Sequence, residues 1–334
     1  MPSTSRRDQR TAIACALAHN YGGVVTRRML IKAGVTKKDI ETEIAVGRWR
    51  AAGRHTVVIL GSPLPAWTAS PRGSASDRPL LFAPTRSAMT ARVGLDATAV
   101  ACFWWALWET GGRGVLDGSS SLLVHGLTGF VPSVIDLSIP PGAYFTVLEG
   151  VRVSRRRDSG EFAARGIPRT VPEVATIRAA QLAASDRQAA LLLCMSVQQR
   201  LVRPAELLDQ WRTIRRSPRR SLMGSVILDV CDGAHSLGEL DFAGMCRAAR
   251  LPEPRRQQLV RRRNGSYFLD AEFPGGLVVE IDGFQHFVGM APIEDALRAN
   301  DITLRSRRVL RMPVIGLRTD GPAFMAQLRR ALAT

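Results

Sequence analysis

The sequence predicts an α+β protein of several domains, and three observations lead to this prediction. The chain has 334 residues, more than one hydrophobic core usually organises. Residues 61–90 are rich in proline, serine and glycine, which is typical of a linker. From about residue 235 the spacing of apolar residues predicts helices and strands in the order α-β-β-β-α-β-α. We therefore expect an N-terminal domain over 1–60, a mixed α/β middle domain over 91–230 and a C-terminal α/β domain over 235–334.

The N-terminal domain has the pattern of three helices followed by a β-hairpin. The segment "QRTAIACALAHNYGG" is amphipathic, and Thr26 is placed to cap "RRMLIKAG", which Gly34 ends. Thr36 precedes the helix "KKDIETEIAVGRW", and Asp39 three residues later predicts a capping box. "RWRAAGRHTVVIL" then has the pattern of two short strands. Three helices and a wing predict a winged helix-turn-helix, in which the second helix meets the recognition helix at "AGVT".

The middle region is predicted to mix helices and strands. "SSSLLVHGLTGF" has the pattern of a helix that ends at a glycine, and "VIDLSIPP" and "LEGVRVSRRR" have the pattern of strands. The segment from "VPEVATIRAAQL" to "PAELLDQW" is helical in period and is broken at Pro204. An arginine-rich connector, "RTIRRSPRRS" (212–221), follows it.

The chain is strongly basic, with a formal net charge of +17 and an isoelectric point near 11.2. Such a charge indicates a polyanionic partner. A compositional explanation competes, because only three of the 46 basic residues are lysines and a GC-rich genome favours arginine. Since the arginines cluster instead of spreading evenly, we favour contact with nucleic acid.

Composition argues against several other classes of protein. No apolar run approaches the roughly 20 residues that span a bilayer, so we expect no membrane partner. The arginines and "TAIACALA" near the N-terminus faintly resemble a signal peptide, but His19 and Asn20 interrupt the apolar run, and we expect a cytoplasmic protein. The five cysteines are odd in number and never form a C-x-x-C pair, which argues against a disulfide framework and a zinc site.

Four carboxylates lie close together in "FLDAEFPGGLVVEIDGFQHF", residues 268–287. A hairpin with the loop Pro274–Gly276 puts Asp270 directly opposite Glu280 and places Asp282 on the same face as Glu280. Like charges opposed across strands destabilise a sheet, and a divalent cation relieves that repulsion. Mg²⁺ or Mn²⁺ suits carboxylate oxygens best, so the cluster predicts a metal site. The alternative is that the carboxylates are solvated or paired with arginines, which is as good an interpretation for Glu272.

The C-terminal region resembles a bacterial domain family related to the very-short-patch-repair endonucleases of the PD-(D/E)xK superfamily. The spacing D-x9-E-x-D-G-x-x-H, from Asp270 to His286, carries the resemblance. A glutamate in the preceding helix (Glu239 in "SLGELDF"), the segment "LPEPRRQ" and the later "RANDITLRSRRVLR" agree with the family in order. The resemblance covers about residues 235–334 and implies a PD-(D/E)xK-like α/β nuclease fold.

The resemblance also implies roles for individual residues. Asp270 and Glu280 would bind Mg²⁺ or Mn²⁺, and Glu239 would complete the metal site through a water. Asp282 stands where the superfamily usually has a lysine, so the cationic group expected beside the nucleophile is missing. His286 and Arg298 are the candidates to replace it. Arg298 and Asn300 have a structural alternative, which is to anchor their helix to the sheet.

The N-terminal domain resembles the winged helix of abortive-infection (AbiEi-type) antitoxins. The resemblance rests on "GGVVTRRMLIKAGVTKKDIETEIAVGRWRAAGRHTVVI", although "RHTVVIL" departs from the usual wing, and more weakly on "SSLLVHGL" and "IPRTVPEVATIRAAQLA". It implies that Lys37, Lys38 and Arg48 contact phosphates and that Arg27 and Arg28 flank the groove. The alternative for each is a solvated helix face.

Three functions fit the sequence, and we favour the first. The first is a metal-dependent DNA endonuclease, targeted by its winged helix, in defence or repair. The second is a non-catalytic DNA-binding regulator, such as the antitoxin of a toxin–antitoxin pair, with a cognate toxin or a second copy of the chain as partner. The third is an RNA-directed protein, although aromatic residues are sparse in the basic segments.

Overall fold

The computed structural model describes residues 6–59, 97–157, 166–231, 240–261, 267–282 and 309–333, with Ile293, Ala296, Leu297 and Asn300. These residues form a mixed α/β protein with three small sheets. The chain divides into two compact units, Met1–Val171 and Pro172–Thr334, so the region expected as one middle domain is shared between them. The expected linker, 61–90, lies outside the described residues.

The first part of unit 1 follows the helices and hairpin expected of it. Thr26 and Thr36 cap the two helices as predicted, each accepting a hydrogen bond from the backbone N–H three residues later. Asp39 accepts the N–H of Thr36 in return, at 3.2 Å, which completes the capping box. Gly34 has φ 90° at the end of the second helix, a conformation that favours glycine. The elements are α1 (Arg6–His19), β1 (Val24–Thr26), α2 (Arg27–Lys32), α3 (Lys37–Ala45), β2 (Trp49–Ala51) and β3 (Thr56–Ile59).

These elements enclose one apolar core. The strands pair antiparallel in the order β1-β3-β2, so that β1 is added to the expected hairpin. Both the helices and the strands contribute apolar residues to this core. Its fully buried members include Ala14, Leu30, Ile40, Trp49 and Val57.

A carboxylate from outside the hairpin holds its turn. Glu109 is 5% exposed, and it accepts the backbone N–H groups of Arg54, at 2.9 Å, and His55, at 2.7 Å. A Cβ on Gly53 would lie 2.4 Å from the Glu109 carboxyl carbon, so the close approach requires glycine at position 53.

The second part of unit 1 packs helices on a second sheet. The expected helix and strands of this region are confirmed, and the helix is followed by Gly126 with φ 102°. Strand order is β4-β5-β6, with β4 antiparallel and β6 parallel to the fully buried β5. The elements are α4 (Ala97–Glu109), β4 (Val115–Leu116), α5 (Gly118–Val124), β5 (Ile135–Ile139) and β6 (Val151–Arg155).

Unit 2 begins with four helices. Pro204, expected to break the helical segment, stands at the first position of a helix, where its missing N–H removes no hydrogen bond. Ser185 caps the helix before it, accepting the N–H of Gln188 at 3.1 Å. The four helices are α6 (Pro172–Leu182), α7 (Asp186–Gln198), α8 (Pro204–Thr213) and α9 (Arg220–Cys231).

The rest of unit 2 is built on a four-stranded sheet in the order β10-β9-β8-β7. The expected order of strands is confirmed, and the described residues between β9 and β10 are helical. The last helix is kinked at Asp320, two residues before Pro322. The elements are α10 (Phe242–Ala248), β7 (Arg256–Arg261), β8 (Tyr267–Glu272), β9 (Val278–Asp282), β10 (Val309–Pro313) and α11 (Val314–Leu332). No helix in the described residues is both long enough and apolar enough to cross a membrane.

Candidate metal centre and nucleic-acid interface

The register of the β8–β9 hairpin matches the prediction. Asp270 pairs directly with Glu280, and Ala271 pairs with Val279. Residues Pro274–Gly276 form the loop as a single 3₁₀ turn, closed by the N–H of Phe273 donating to the Leu277 carbonyl at 2.8 Å. Gly275 and Gly276 have φ near 80° there, which explains the glycine pair.

The two faces of this sheet differ sharply in polarity. Leu269, Ala271, Val279, Ile281, Leu310 and Met312 are all buried, at 2% exposure or less. Because strand side chains alternate, the intervening carboxylates lie on the opposite face. The apolar surroundings of Glu280 in "LVVEI" therefore belong to the other side of the sheet, and Glu280 keeps 22% of its side chain exposed.

A polar row crosses all four strands on that face. Gln258 of β7 pairs with Asp270 of β8, which pairs with Glu280 of β9, which pairs with Arg311 of β10. The Arg311 Nε lies 3.2 Å from Glu280 Oε2, and the arginine side chain is 66% exposed. Glu280 therefore has a carboxylate on one side and a guanidinium on the other.

Arg311 was not among the predicted site residues. "RRVLRMPV" predicted a strand, but nothing in the sequence indicated that this strand lies parallel to β9 with Arg311 in register with Glu280. The strand belongs to the sheet edge, and Asn300 fixes its backbone: Nδ2 donates to the Arg311 carbonyl at 2.8 Å, and Oδ1 accepts the Arg311 N–H at 2.9 Å. Asn300 is 2% exposed, so its predicted anchoring role is confirmed.

The predicted metal site is described only in part. The Oδ1 atoms of Asp270 and Asp282 are both buried from solvent, and Asp282 ends β9 in register with Phe268. No three histidine, cysteine, aspartate or glutamate side chains gather closely enough to hold a metal among the described residues. Of the predicted ligands Asp270, Glu280 and Glu239, only the Asp270–Glu280 pair lies within the described residues. The other predicted site residues, Glu239, His286 and Arg298, lie outside the described residues.

Two of the predicted DNA contacts are exposed lysines at the start of α3. Lys37 and Lys38 occupy its first turn, where a recognition helix meets base edges and phosphates. Arg28 is exposed at the start of α2, and its neighbour Arg27 is paired with Glu41 at 2.5 Å. The Arg27–Glu41 pair joins α2 to α3.

Arg48 has a structural partner inside the same region. Its Nε donates to Glu43 Oε2 at 2.5 Å, and Arg10 Nη2 donates to Glu43 Oε1 at 2.8 Å. Glu43 is fully buried, so the two guanidiniums neutralise a carboxylate that burial would otherwise destabilise. The hydrogen bond from Arg48 lowers the pKa of Glu43, although burial opposes it, and the charges of Arg48 and Arg10 lower it further.

The tip of the β2–β3 hairpin adds basic residues that the prediction did not include. Arg54 and His55 are exposed there, on the turn held by Glu109. The sequence did contain a signal for these contacts, because two basic residues follow Gly53 between the two predicted strands.

A buried polar cluster of unit 1 has the residue types of a hydrolase but not the geometry. His125 Nε2 donates to the Thr170 carbonyl at 2.9 Å, and the Ser121 hydroxyl donates to the same oxygen at 2.7 Å. Both groups point to a carbonyl oxygen, so in this geometry the histidine does not accept a serine proton. The carboxylate of Asp136 accepts hydrogen bonds from the side chains of Ser119 and Arg152. Burial raises the pKa of Asp136, although both of these bonds lower it. The arrangement joins α5 to β5 and β6.

Comparison with known proteins adds no relative: no family model matches the chain, and no curated protein matches it significantly.

Proposed function

We propose that this protein is a metal-dependent DNA endonuclease, bound to duplex DNA by an N-terminal winged helix. The observation that carries the proposal is the pairing of Asp270 with Glu280 on the polar face of a mixed sheet. Like charges directly opposed across two strands repel each other, and a cation bound between them would remove that repulsion. The order of elements in the C-terminal half agrees with the PD-(D/E)xK-like fold that the sequence resembles.

The donor set fits a hard divalent ion. Asp270 and Glu280 would hold Mg²⁺ or Mn²⁺, both of which prefer carboxylate oxygens and keep several waters. Such an ion supplies a polarised phosphoryl oxygen and a bound water of lowered pKa. Arg311 would stabilise the negative charge of the scissile phosphate, as the lysine of related nucleases does. Its guanidinium is exposed, always charged and held beside Glu280 by the Asn300 contacts to its backbone.

The DNA-binding role is supported by the first six elements. Their order, helix-strand-helix-helix-strand-strand, agrees with a winged helix-turn-helix. Lys37 and Lys38 on α3 and Arg54 on the hairpin tip are exposed and positively charged. We propose that α3 enters the major groove and that the hairpin tip contacts the adjacent phosphates.

The experiment is plasmid nicking by the purified protein with Mg²⁺ or Mn²⁺. Asp270→Asn and Glu280→Gln should each abolish metal-dependent cutting, whereas Glu272→Gln should cut normally because that exposed carboxylate is on the same strand but outside the pair. Lys37→Ala/Lys38→Ala should weaken DNA binding about tenfold, and Lys32→Ala should not. Equal cutting by all variants would contradict the assignment.

A second function is favoured by one observation. Arg311 already neutralises Glu280, so a sheet of this kind is also stable without a metal. The protein would then be a non-catalytic DNA-binding regulator of the antitoxin type. This function would be established if wild type cuts neither duplex, mismatched nor single-stranded DNA. Wild type and the carboxylate variants should then bind duplex DNA equally well in a gel mobility-shift assay.

A further inference from the structure

A cavity of about 430 Å³ opens on unit 2 beside helices α8 and α9. Its walls carry two arginines, Arg220 and Arg318, and two serines, Ser221 and Ser225, over the ring of Trp211. No acidic side chain lines this cavity among the described residues. The lining is therefore rich in hydrogen-bond donors.

The two arginines of the cavity are held in place. The Arg220 guanidinium carbon lies 5.0 Å from the centre of the Trp211 ring, and its Nη1 donates to the Ile214 carbonyl at 2.5 Å. Arg318 forms a bidentate pair with Asp229: its Nε and Nη2 each donate to one carboxylate oxygen at 3.3 Å. Asp229 is 2% exposed. Both guanidiniums are thus oriented before any ligand arrives, which reduces the entropy lost on binding.

The positive surface continues beyond the cavity. The connector between α8 and α9 has five arginines among the nine residues 212–220 and no acidic residue. Arg212, Arg215, Arg216 and Arg220 are exposed. Only part of this charge is balanced locally, by Asp209 beside Arg212 and by Asp186 beside Arg219.

We propose that the cavity and the α8–α9 connector bind the phosphate backbone of nucleic acid, as a second contact surface separate from the winged helix. The inference rests on the proposed function in that DNA is the expected polyanion. Trp211 is 8% exposed and covered by Arg220, so the cavity has no free ring face on which a base could stack. Guanidinium and hydroxyl donors suit phosphate oxygens instead. The exposed arginines of the connector offer more contacts than a single phosphate can use. A nucleic-acid strand therefore fits this surface better than a mononucleotide does.

The test uses a carboxylate placed in the cavity and a matched control. Ser221→Asp introduces a negative charge at an exposed position in the first turn of α9. Ala205→Asp introduces the same charge at the corresponding exposed position of α8, so both changes have the same favourable interaction with a helix N-terminus. The Cys231 thiol contacts the Pro204 carbonyl at 3.1 Å, which puts Ala205 near the far end of α9, roughly 15 Å along that helix from Ser221.

Binding of a labelled 20-base-pair duplex is measured by fluorescence anisotropy in chelator, at several salt concentrations. Ser221→Asp should raise the Kd about tenfold and lower the salt slope by about 1, while Ala205→Asp stays within about twofold of wild type. Arg215→Gln/Arg216→Gln, which changes only exposed side chains, should weaken binding similarly. Repeating Ser221→Asp in the Lys37→Ala/Lys38→Ala background should give the same fold-change, because the two surfaces share no residue.

Several outcomes would overturn the inference. One is that Ser221→Asp and Ala205→Asp bind the duplex with equal affinity, and another is that wild type does not bind the duplex. A third is that Ser221→Asp weakens binding of a competing nucleoside monophosphate but leaves duplex binding unchanged. Because the assay contains no metal, loss of the nuclease proposal in the nicking experiment leaves this result standing. A 20-nucleotide single strand measured in parallel tells whether the backbone bound is single- or double-stranded.

Discussion

Asp270 on β8 lies directly opposite Glu280 on β9, on the face of the sheet turned away from its apolar core. The hairpin register thus sets up a repulsion between two like charges. Arg311 on β10, the other neighbour of β9, reduces this repulsion by pairing with Glu280. The stability of the sheet and the affinity for metal should therefore depend on the same three side chains.

The first prediction concerns Asp270→Asn in thermal unfolding. Without divalent ions the variant should be more stable than wild type by about 0.2–1 kcal/mol, because a like-charge cross-strand pair is removed. With saturating Mn²⁺ the wild type should gain stability, by about 2.7 kcal/mol at a hundredfold excess over Kd, and the variant should gain little. Glu272→Gln is the control. An equal Mn²⁺ response in all three proteins would show that the pair holds no metal.

The second prediction concerns Arg311→Gln. Removing the guanidinium removes a cation that competes for Glu280, so Mn²⁺ should bind more tightly in titration calorimetry. The unfolding free energy should change by less than about 1 kcal/mol, because the arginine is 66% exposed. Plasmid cutting should nevertheless be lost, and Arg311→Lys should restore part of it. Full cutting by Arg311→Gln would remove Arg311 from the mechanism.

The third prediction concerns the buried carboxylate of the N-terminal region. Glu43→Gln leaves Arg10 and Arg48 without their shared counter-charge, so urea unfolding should show a loss of about 1–3 kcal/mol. Glu41→Gln, whose side chain is 65% exposed, should lose no more than about 0.5 kcal/mol. Since the pKa of Glu43 is lowered from its ordinary 4.5, wild-type stability should be complete above that pH and fall as pH decreases through the folded value. A Glu43→Gln profile parallel to that of wild type would argue against this network.

The fourth prediction concerns His125. Burial lowers its pKa below the ordinary 6.5, and the charge of Arg169 lowers it further, although the bond to Thr170 opposes them. The folded state thus favours neutral imidazole, so this contribution to stability is complete above about pH 6.5 and is lost as pH falls below it. Urea midpoints at pH 7.5 and 5.5 should differ more for wild type than for His125→Gln. Identical differences would show that His125 does not titrate with unfolding.

Some of these features follow from neighbouring residues. The caps at Thr26 and Thr36 and the opposition of Asp270 and Glu280 were predicted because helix caps and short hairpins depend on a few adjacent residues. The alternation of strand side chains also predicted that Glu280 and Asp282 share a face. In each case the interacting groups are close in sequence, and chain geometry leaves few alternatives.

The sequence by itself thus determined the caps, the hairpin and the opposed carboxylates. Tertiary structure alone decided that Arg311 lies beside Glu280, that Arg10 and Arg48 share Glu43, and that Glu109 holds the hairpin turn. These contacts join residues far apart in the chain, except that Arg48 and Glu43 are five residues apart. They depend on how strands and helices pack, and packing is driven by burial of apolar surface, which has no direction and leaves no local pattern for the polar partners.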